Sequence, residues 1–342
     1  MRLRRPSAAP IAAVLTALLL LPACGQSTGR ARWVDAGAAG GAAGDGTSAP
    51  ASPGPAGAGA PGTAAPKAPP GAAPARAYPV GVRQLALSRG AQRPLSTTVW
   101  YPATGRAGSG APNVVADAAP AAGRFPVVLF SHGLTGYPEA YEGFTSRLAA
   151  AGFVVAAPAY PFTKRGAPSF NPVDVLNQPA DAWHVIGEVL KLDTRTGDPL
   201  AGHLDQDRVG AAGHSAGGYT TAGMLSARRG APLAAAVIIA GGAVGGFGGP
   251  STPALFIHGD RDPTVEYANG RAAYDALPWP KAFLTLANGG HWEFLAPGAV
   301  GFDATTRTAT DFLRWSLYGD AAAKGRVARD GGAGARVEAA LG

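Results

Sequence analysis

Short apolar runs alternate with amphipathic stretches between about residue 78 and residue 322 of this 342-residue chain. Residues 125–130 form a continuous apolar run, as expected of a strand buried on both faces. Residues 179–192 instead repeat apolar side chains at helical spacing. The pattern predicts strands at 97–101, 125–130, 153–157, 209–212, 234–239, 254–258 and 283–287, and helices at 138–150, 179–192, 217–228, 265–276 and 304–317.

This alternation predicts an α/β fold, with a mostly parallel central sheet and helices on both of its faces. In sheets of this kind, ligands bind beyond the carboxyl ends of the strands. We therefore expect the functional residues to follow strands directly, in the loops at that edge.

The first 23 residues have the pattern of an export signal peptide. Three arginines within the first five residues precede an apolar stretch at 11–21 that is too short for a stable membrane span. Residues 21–24 resemble a bacterial lipobox, although Pro22 departs from the usual residue type. We expect Cys24 to be lipidated and the protein to be exported and anchored to the cell membrane. The alternative is an ordinary secretory signal, cleaved at or soon after residue 23, which would release the protein.

Composition divides the rest of the chain. Residues 24–77 are mostly Ala, Gly, Pro, Ser and Thr, and such a segment buries too little apolar surface to offset its chain entropy. It is expected to be a disordered tether for one folded domain at 78–322. Residues 323–342 look similarly loose and are expected to be a flexible tail. Cys24 is the only cysteine, so no intramolecular disulfide is possible.

The formal net charge of +7 does not indicate a nucleic-acid-binding surface. Seven of the 29 Lys and Arg residues and two of the 22 Asp and Glu residues precede residue 79, which leaves +2 for the remainder of the chain. A nucleic-acid partner is therefore not expected.

The most informative motif is Gly-His-Ser-Ala-Gly at 213–217, directly after the apolar run 209–212. A serine on a tight turn between a strand and a helix can expose its hydroxyl above the sheet, and the flanking glycines relieve crowding there. The helix that follows directs amide N–H groups at developing negative charge. Ser215 is the candidate nucleophile.

A serine hydroxyl needs a base, and the residues that could supply one follow Ser215 in the order acid, then histidine. His291 follows a predicted strand end in a glycine-rich turn and is the candidate general base. Two acids compete to orient it. Asp262 is favoured because it fits a G-x-x-D-x-x-V-like turn, which leaves Asp260 as a turn-capping carboxylate.

An oxyanion hole requires two backbone N–H donors. Ala216, directly after the serine, and Leu134, in the loop after the strand at 125–130, are the candidates. Of the other histidines, His132 is expected to shape that loop, while His214 and His258 are expected to pack. No metal or organic cofactor is implied by these residues.

The domain resembles an α/β-hydrolase across about residues 80–320. It is most similar to the branch that contains platelet-activating-factor-acetylhydrolase-like proteins, dienelactone-hydrolase-like proteins and polyester hydrolases (cutinases). The segments that carry the likeness are 99–102, 130–136, 213–218, the Asp262 turn and 290–292. The resemblance implies a triad of Ser215, Asp262 and His291. True dienelactone hydrolases have a cysteine nucleophile, whereas this chain has Ser215 in that place. Secreted polyester hydrolases usually have a C-terminal disulfide, which a chain with one cysteine cannot form.

Taken together, these residues predict a serine carboxylester hydrolase that forms an acyl-enzyme on acyl esters, lipids or polyester-like substrates at the cell envelope. Transfer of the acyl group to an alcohol would use the same site. A non-catalytic envelope lipoprotein with this fold is the alternative from another class. The longest loop near the site, 160–178, carries Tyr160, Phe162 and Phe170, which either line a substrate pocket or pack the loop onto the domain.

Overall fold

The computed structural model describes residues 73–226 and 233–342, all of which fall in one compact unit. The predicted signal peptide, the lipidation site Cys24 and nearly all of the predicted tether lie outside the described residues. In the part that is described, no helix combines the length and the apolar character that crossing a membrane requires.

A single ten-stranded sheet forms the centre of the molecule, in the order β10-β9-β8-β7-β6-β4-β5-β2-β1-β3. The strands from β4 to β9 are mutually parallel, and antiparallel pairing occurs only toward the two edges. The strands are β1 (Val80–Ser88), β2 (Pro94–Pro102), β3 (Val114–Ala116), β4 (Phe125–Ser131), β5 (Val154–Pro158), β6 (Leu204–His214), β7 (Ala235–Ile239), β8 (Ala254–Gly259), β9 (Lys281–Leu286) and β10 (Ala335–Ala340).

Helices cover both faces of this sheet. They are α1 (Glu142–Ala150), α2 (Gln178–Leu190), α3 (Ala216–Met224), α4 (Tyr267–Ala276), α5 (Phe302–Leu313) and α6 (Ala321–Val327), with a π-helical turn at Arg314–Tyr318. Alternate residues of β4 show how the sheet divides the core. Val128 and Phe130 join the cluster under α1, α5 and α6, while Val127 and Leu129 join the one under α2, α3 and α4. Fully burying one such side chain contributes about 1.5–3 kcal/mol.

The sheet reverses its winding direction at β4, which lies between β6 on one side and β5 on the other. The loops that leave neighbouring strands on opposite sides of such a point open a crevice at the carboxyl edge of the sheet. The loop after β4 and the turn after β6 both end at this crevice. The predicted α/β class with a mostly parallel sheet is confirmed, and the candidate residues fall at the edge where ligands bind.

The two ends of the domain differ from the sequence-based expectation. Strand β1 was not predicted, and the segment expected to be a flexible tail contains most of α6 and all of β10, which pairs with β9. Residues 335–340 are alanine or charged apart from Val337, because an edge strand needs only one covered face, and charged residues there discourage pairing with other chains. Pro74, in the stretch expected to be tether, accepts a 3.1 Å hydrogen bond from Arg314.

Candidate active site

Ser215 occupies a strained turn between β6 and α3. Its backbone has φ 57° and ψ −121°, a conformation that non-glycine residues rarely adopt and that is held here by a 2.9 Å hydrogen bond from its N–H to Ile239 O. A Cβ at Gly217 would lie 1.9 Å from Ser131 O, and one at Gly213 would lie 2.1 Å from Gly217 O. Both flanking positions therefore accept only glycine, which is the physical reason for the motif.

The loop after β4 (residues 132–136, the β4 loop) packs directly on this turn. A Cβ at Gly133 would lie 3.2 Å from Ser215 Cβ. Tyr160 N–H donates to His132 Nε2 (3.1 Å), so His132 Nδ1 carries the proton and donates to Gly133 O (2.8 Å). Burial lowers the pKa of His132 to about 4, so the ring is neutral at physiological pH.

These bonds fix the orientation of the Leu134 amide. In a trans peptide the Gly133 carbonyl and the Leu134 N–H point in opposite directions, and the carbonyl is held by His132 and by Gly136 N–H at 3.0 Å. Among the described residues, Leu134 N–H has no hydrogen-bond partner. Ala216 N–H, at the first position of α3, has no acceptor within its helix. The two amides proposed from the sequence as donors are thus both free to bind a ligand.

Asp262 and His291 come together from the loops after β8 and β9. His291 Nδ1 lies 2.7 Å from Asp262 Oδ2, and the carboxylate side chain is fully buried. Asp262 Oδ1 accepts the backbone N–H groups of Thr264 (2.8 Å) and Val265 (2.9 Å). Burial alone would raise the pKa of Asp262, but hydrogen bonds from two histidines and the amides outweigh it and hold this pKa well below its usual range.

Asp260, the competing acid, does not contact His291. It accepts the backbone N–H of Asn288 at 2.7 Å and so caps the turn that leads to His291. Asn288 has φ 57°, in the left-handed region that Asn tolerates better than most residues.

The sequence reading missed the second histidine on Asp262. His258 Nε2 lies 3.2 Å from Asp262 Oδ2 and donates to Val265 O at 2.9 Å, and the residue is 1% exposed. The spacing of four residues between His258 at a strand end and Asp262 in the following turn was the available signal. It is a weak signal, because a histidine in that place usually only packs.

Ser215 and His291 lie near each other without a direct bond. In the described part of the chain no hydrogen bond joins the Ser215 hydroxyl to the His291 ring. The His291 ring stands 4.8 Å from the ring of His214, the residue before the serine. Such bonds are often long in unliganded enzymes and tighten only when substrate binds.

Beside α3, the helix that follows Ser215, lies a cavity of about 170 Å³. Tyr219 and Gly223 line it from one face of α3, four and eight residues after Ser215, and Ser226 lines it from just beyond the end of the helix. The rest of the lining is apolar: Val175, Leu176, Pro179 and Val244.

The three aromatic residues of the loop 160–178 are not among the residues that line this cavity. Tyr160 is fully buried and bonds Ser131 Oγ at 2.8 Å, Phe162 lies under the Arg93 guanidinium, and Phe170 is 48% exposed. No cluster of three or more His, Cys, Asp and Glu side chains suited to a metal ion occurs among the residues described.

A model of the Chlorophyllase family matches residues 93–248, somewhat less than half of the chain. The match, together with one mostly parallel sheet flanked by helices, decides the fold. The chain has an α/β-hydrolase fold. The match points to an esterase-like hydrolase; it covers the β4 loop and the Ser215 turn and ends before Asp262 and His291. A comparison with curated proteins gave no match.

Proposed function

We propose that this α/β-hydrolase-fold protein is a serine carboxylester hydrolase with Ser215, His291 and Asp262 as its triad. The observation that carries the proposal is the 2.7 Å contact between His291 and a fully buried Asp262, beside a serine on a strained strand–helix turn. A carboxylate held ionised in this way keeps the imidazole Nδ1 protonated and leaves Nε2 free to accept a proton.

The chemistry follows from these positions. Ser215 Oγ attacks the ester carbonyl carbon while His291 Nε2 takes its proton, and the carbonyl π pair moves to oxygen. When the carbonyl reforms, the alkoxide leaves with the proton from His291, and Ser215 remains acylated. Water then gives a proton to His291, attacks the acyl carbon, and releases the acid as Ser215 recovers its proton. Asp262 stays ionised and stabilises the imidazolium in both halves.

The oxyanion formed in each half needs donors in place before the reaction. Leu134 N–H and Ala216 N–H are the proposed pair, because the first is oriented by the anchored Gly133 carbonyl and the second begins α3. Loss of one such donor typically lowers kcat by a factor of about 10²–10³.

The proposed substrates are acyl esters, lipids or polyester-like molecules. Among the described residues, no charged side chain lines the cavity beside α3, which supports an acyl or alcohol part without charge. The Chlorophyllase match supports an esterase-like activity, and the sequence motifs favour the branch with platelet-activating-factor-acetylhydrolase-like proteins, dienelactone-hydrolase-like proteins and cutinases.

The test is hydrolysis of p-nitrophenyl esters from acetate to palmitate by the wild-type protein and by Ser215→Ala. We expect wild-type turnover, and a loss of at least about a thousandfold in the variant. A fluorophosphonate probe should label the wild type and not Ser215→Ala. Absence of both turnover and labelling would favour a non-catalytic lipoprotein, whereas labelling with transfer of the acyl group to added alcohol would favour an acyltransferase.

We also propose that the protein is exported and anchored to the membrane through lipid on Cys24, with 24–77 as its tether. The support is the arginine-led apolar segment and the lipobox-like sequence at 21–24. Cys24→Ala should move the protein from the detergent phase to the aqueous phase in Triton X-114 partitioning. Unchanged partitioning of this variant would contradict the anchor.

A further inference from the structure

A chain of three hydrogen bonds, two buried and one partly buried, crosses the site beside Ser215. Gly133 N–H donates to Tyr141 Oη at 3.0 Å, and Tyr141 Oη lies 2.9 Å from His214 Nδ1. At the other end, His214 Nε2 lies 2.8 Å from the backbone carbonyl of His291. Tyr141 is 5% exposed and His214 3%, so water does not compete for these groups.

The direction of every bond in this chain is determined. The His291 carbonyl can only accept, so His214 Nε2 carries a proton. Burial, with a contribution from the charge of His291, lowers the pKa of His214 to about 3, so its ring is neutral and Nδ1 is an acceptor. Tyr141, whose pKa burial raises to about 12, therefore donates to Nδ1 and accepts from Gly133.

We propose that Tyr141 and His214 are positioning residues that hold the β4 loop and the His291 backbone at a fixed separation across the Ser215 turn. This role rests on the proposed ester hydrolysis, since it concerns where the oxyanion donor and the general base stand relative to the nucleophile. The chain reaches the N–H of Gly133, the residue before the Leu134 donor, and the carbonyl of His291 itself. His214, directly before Ser215, is thus linked both to the β4 loop, which carries the oxyanion donor, and to the loop that carries the general base.

The role follows from the separate origins of the three parts. The β4 loop, the Ser215 turn and the His291 loop leave three different strands, and β9, which leads to His291, is three strands away from β6 in the sheet. Pairing of β4 with β6 continues to Ser131 and Gly213, but among the described residues no backbone hydrogen bond joins the β4 loop or the Ser215 turn to the His291 loop. A largely buried chain in which each donor has one acceptor fixes these loops against one another, because slipping at any bond leaves a buried polar group without a partner.

The first test is Tyr141→Phe, with Tyr137→Phe as the matched control. Both variants remove one hydroxyl from the same segment, but the Tyr137 ring packs against Arg165 outside the chain. We expect Tyr141→Phe to lower kcat about tenfold with KM changed less than about threefold, because a displaced donor weakens binding of the transition state more than of the substrate. Tyr137→Phe should match the wild type. Equal kinetics for the two variants would overturn the proposal.

The second test separates positioning from loss of stability. His214→Gln keeps an amide donor for the His291 carbonyl but has no ring nitrogen at the Nδ1 position to accept from Tyr141. If the residues act as one chain, Tyr141→Phe should cost little further activity in the His214→Gln background. The role would be overturned if the two substitutions lowered kcat by independent factors that multiply in the double variant. It would also be overturned if the loss of kcat disappeared at a temperature where variant and wild type are folded to the same extent.

Two further readouts keep this proposal distinguishable from the proposed function. Imidazole ¹⁵N spectra of the wild type should show His214 protonated on Nε2 and neutral between pH 5 and pH 8; a proton on Nδ1 would overturn the chain even in an active esterase. Fluorophosphonate labelling of Ser215 should slow with Tyr141→Phe and not with Tyr137→Phe. If the wild type neither labels nor hydrolyses esters, the proposed function falls and the positioning role falls with it.

Discussion

At the scale of single residues, the carboxylate of Asp262 has one permitted orientation. Two backbone amides hold Oδ1, while His291 and His258 share Oδ2, at 2.7 Å and 3.2 Å. His258 in turn lies against Gly270, where a Cβ would come within 2.3 Å of His258 Nδ1. The missing side chain at Gly270 thus leaves room for the second histidine, whose N–H is shared between Asp262 and Val265 O.

Replacing His258 with Leu should weaken the hydrogen bonding of Asp262 without changing His291, the general base. The variant leaves Oδ2 with one donor fewer and the Val265 carbonyl without a partner, so the pKa of Asp262 rises toward its usual value. We expect kcat for p-nitrophenyl butyrate to fall about tenfold in His258→Leu. His258→Gln should regain part of this kcat, because its amide offers a hydrogen-bond donor in place of the ring N–H. His184→Leu, on α2, is the control and should keep wild-type kcat.

The same variant has a pH signature in stability. A carboxylate whose pKa is depressed on folding contributes stability that is present above its unfolded pKa of about 3.9 and is lost as the pH falls below it. His258→Leu reduces that contribution, so its destabilisation should be larger at pH 7 than at pH 3. Urea midpoints at the two pH values measure this difference. A deficit that is the same at both would show that His258 acts through packing alone.

At the scale of elements, the long loop between β5 and α2 is fastened at both ends. Arg93, next to β2, makes a bidentate pair with Asp174 at 2.9 Å and also binds Asp181, which Arg89 contacts at 2.6 Å. Gln178, the first residue of α2, donates to Thr163 Oγ1 in the loop at 2.7 Å and accepts from Thr220 at 2.6 Å. The wall of the cavity beside α3 is therefore preformed rather than a mobile cover.

Arg93→Met should destabilise the protein by about 3–5 kcal/mol, because it leaves the nearly inaccessible carboxylates of Asp174 and Asp181 without their main partner. Adding Asp174→Asn and Asp181→Asn should recover part of this loss, since the cost is that of uncompensated buried charge. Arg336→Met is the control, because that side chain is 71% exposed and its ion pair with Glu338, at 3.6 Å, contributes little to stability. Urea denaturation measures all three. A loss below 1 kcal/mol for Arg93→Met would contradict this view of the loop.

What the sequence could predict at this scale depended on how each element is buried. Strands such as β4 are covered on both faces, so their apolar runs stand out, and the turns that follow them carry the motif residues. The edge strand β10 has no buried position and no alternation of covered and exposed residues, and its pairing with β9 gives no local pattern. Likewise, Tyr141 and His214 have ordinary packing signatures in sequence. Their link depends on three strands that meet only in the folded sheet.

At the scale of the whole molecule, the C-terminal segment closes the domain and reaches the site. Strand β10 covers the edge of β9, and Ala287 N–H, at the start of the turn toward His291, donates to Gly334 O at 2.8 Å. The turn between α6 and β10 includes Asp330, which is 4% exposed and whose Oδ2 has no partner among the described residues. The stability of this turn therefore bears on the loop that carries His291.

Asp330 makes that stability depend on pH. Burial, together with the charge of Asp311, raises the pKa of Asp330 to about 6, and the guanidinium groups of Arg307, Arg326 and Arg329 offset this only in part. A carboxyl whose pKa is raised on folding contributes stability that is full below its unfolded pKa of about 3.9 and is lost as the pH rises through 6. At pH 7 the fold thus holds an ionised, incompletely paired acid.

Asp330→Asn should remove this cost, because the amide is neutral at every pH and can donate where the carboxylate could not. The variant should have a higher urea midpoint than the wild type at pH 7.5 and lose that advantage near pH 4, where wild-type Asp330 is protonated. Asp275→Asn, at a side chain 67% exposed, is the control and should follow the wild-type profile. If Asp330→Asn is instead less stable than wild type at pH 7.5, the Arg307 contact at 3.5 Å outweighs desolvation, and the C-terminal turn is held by an ion pair.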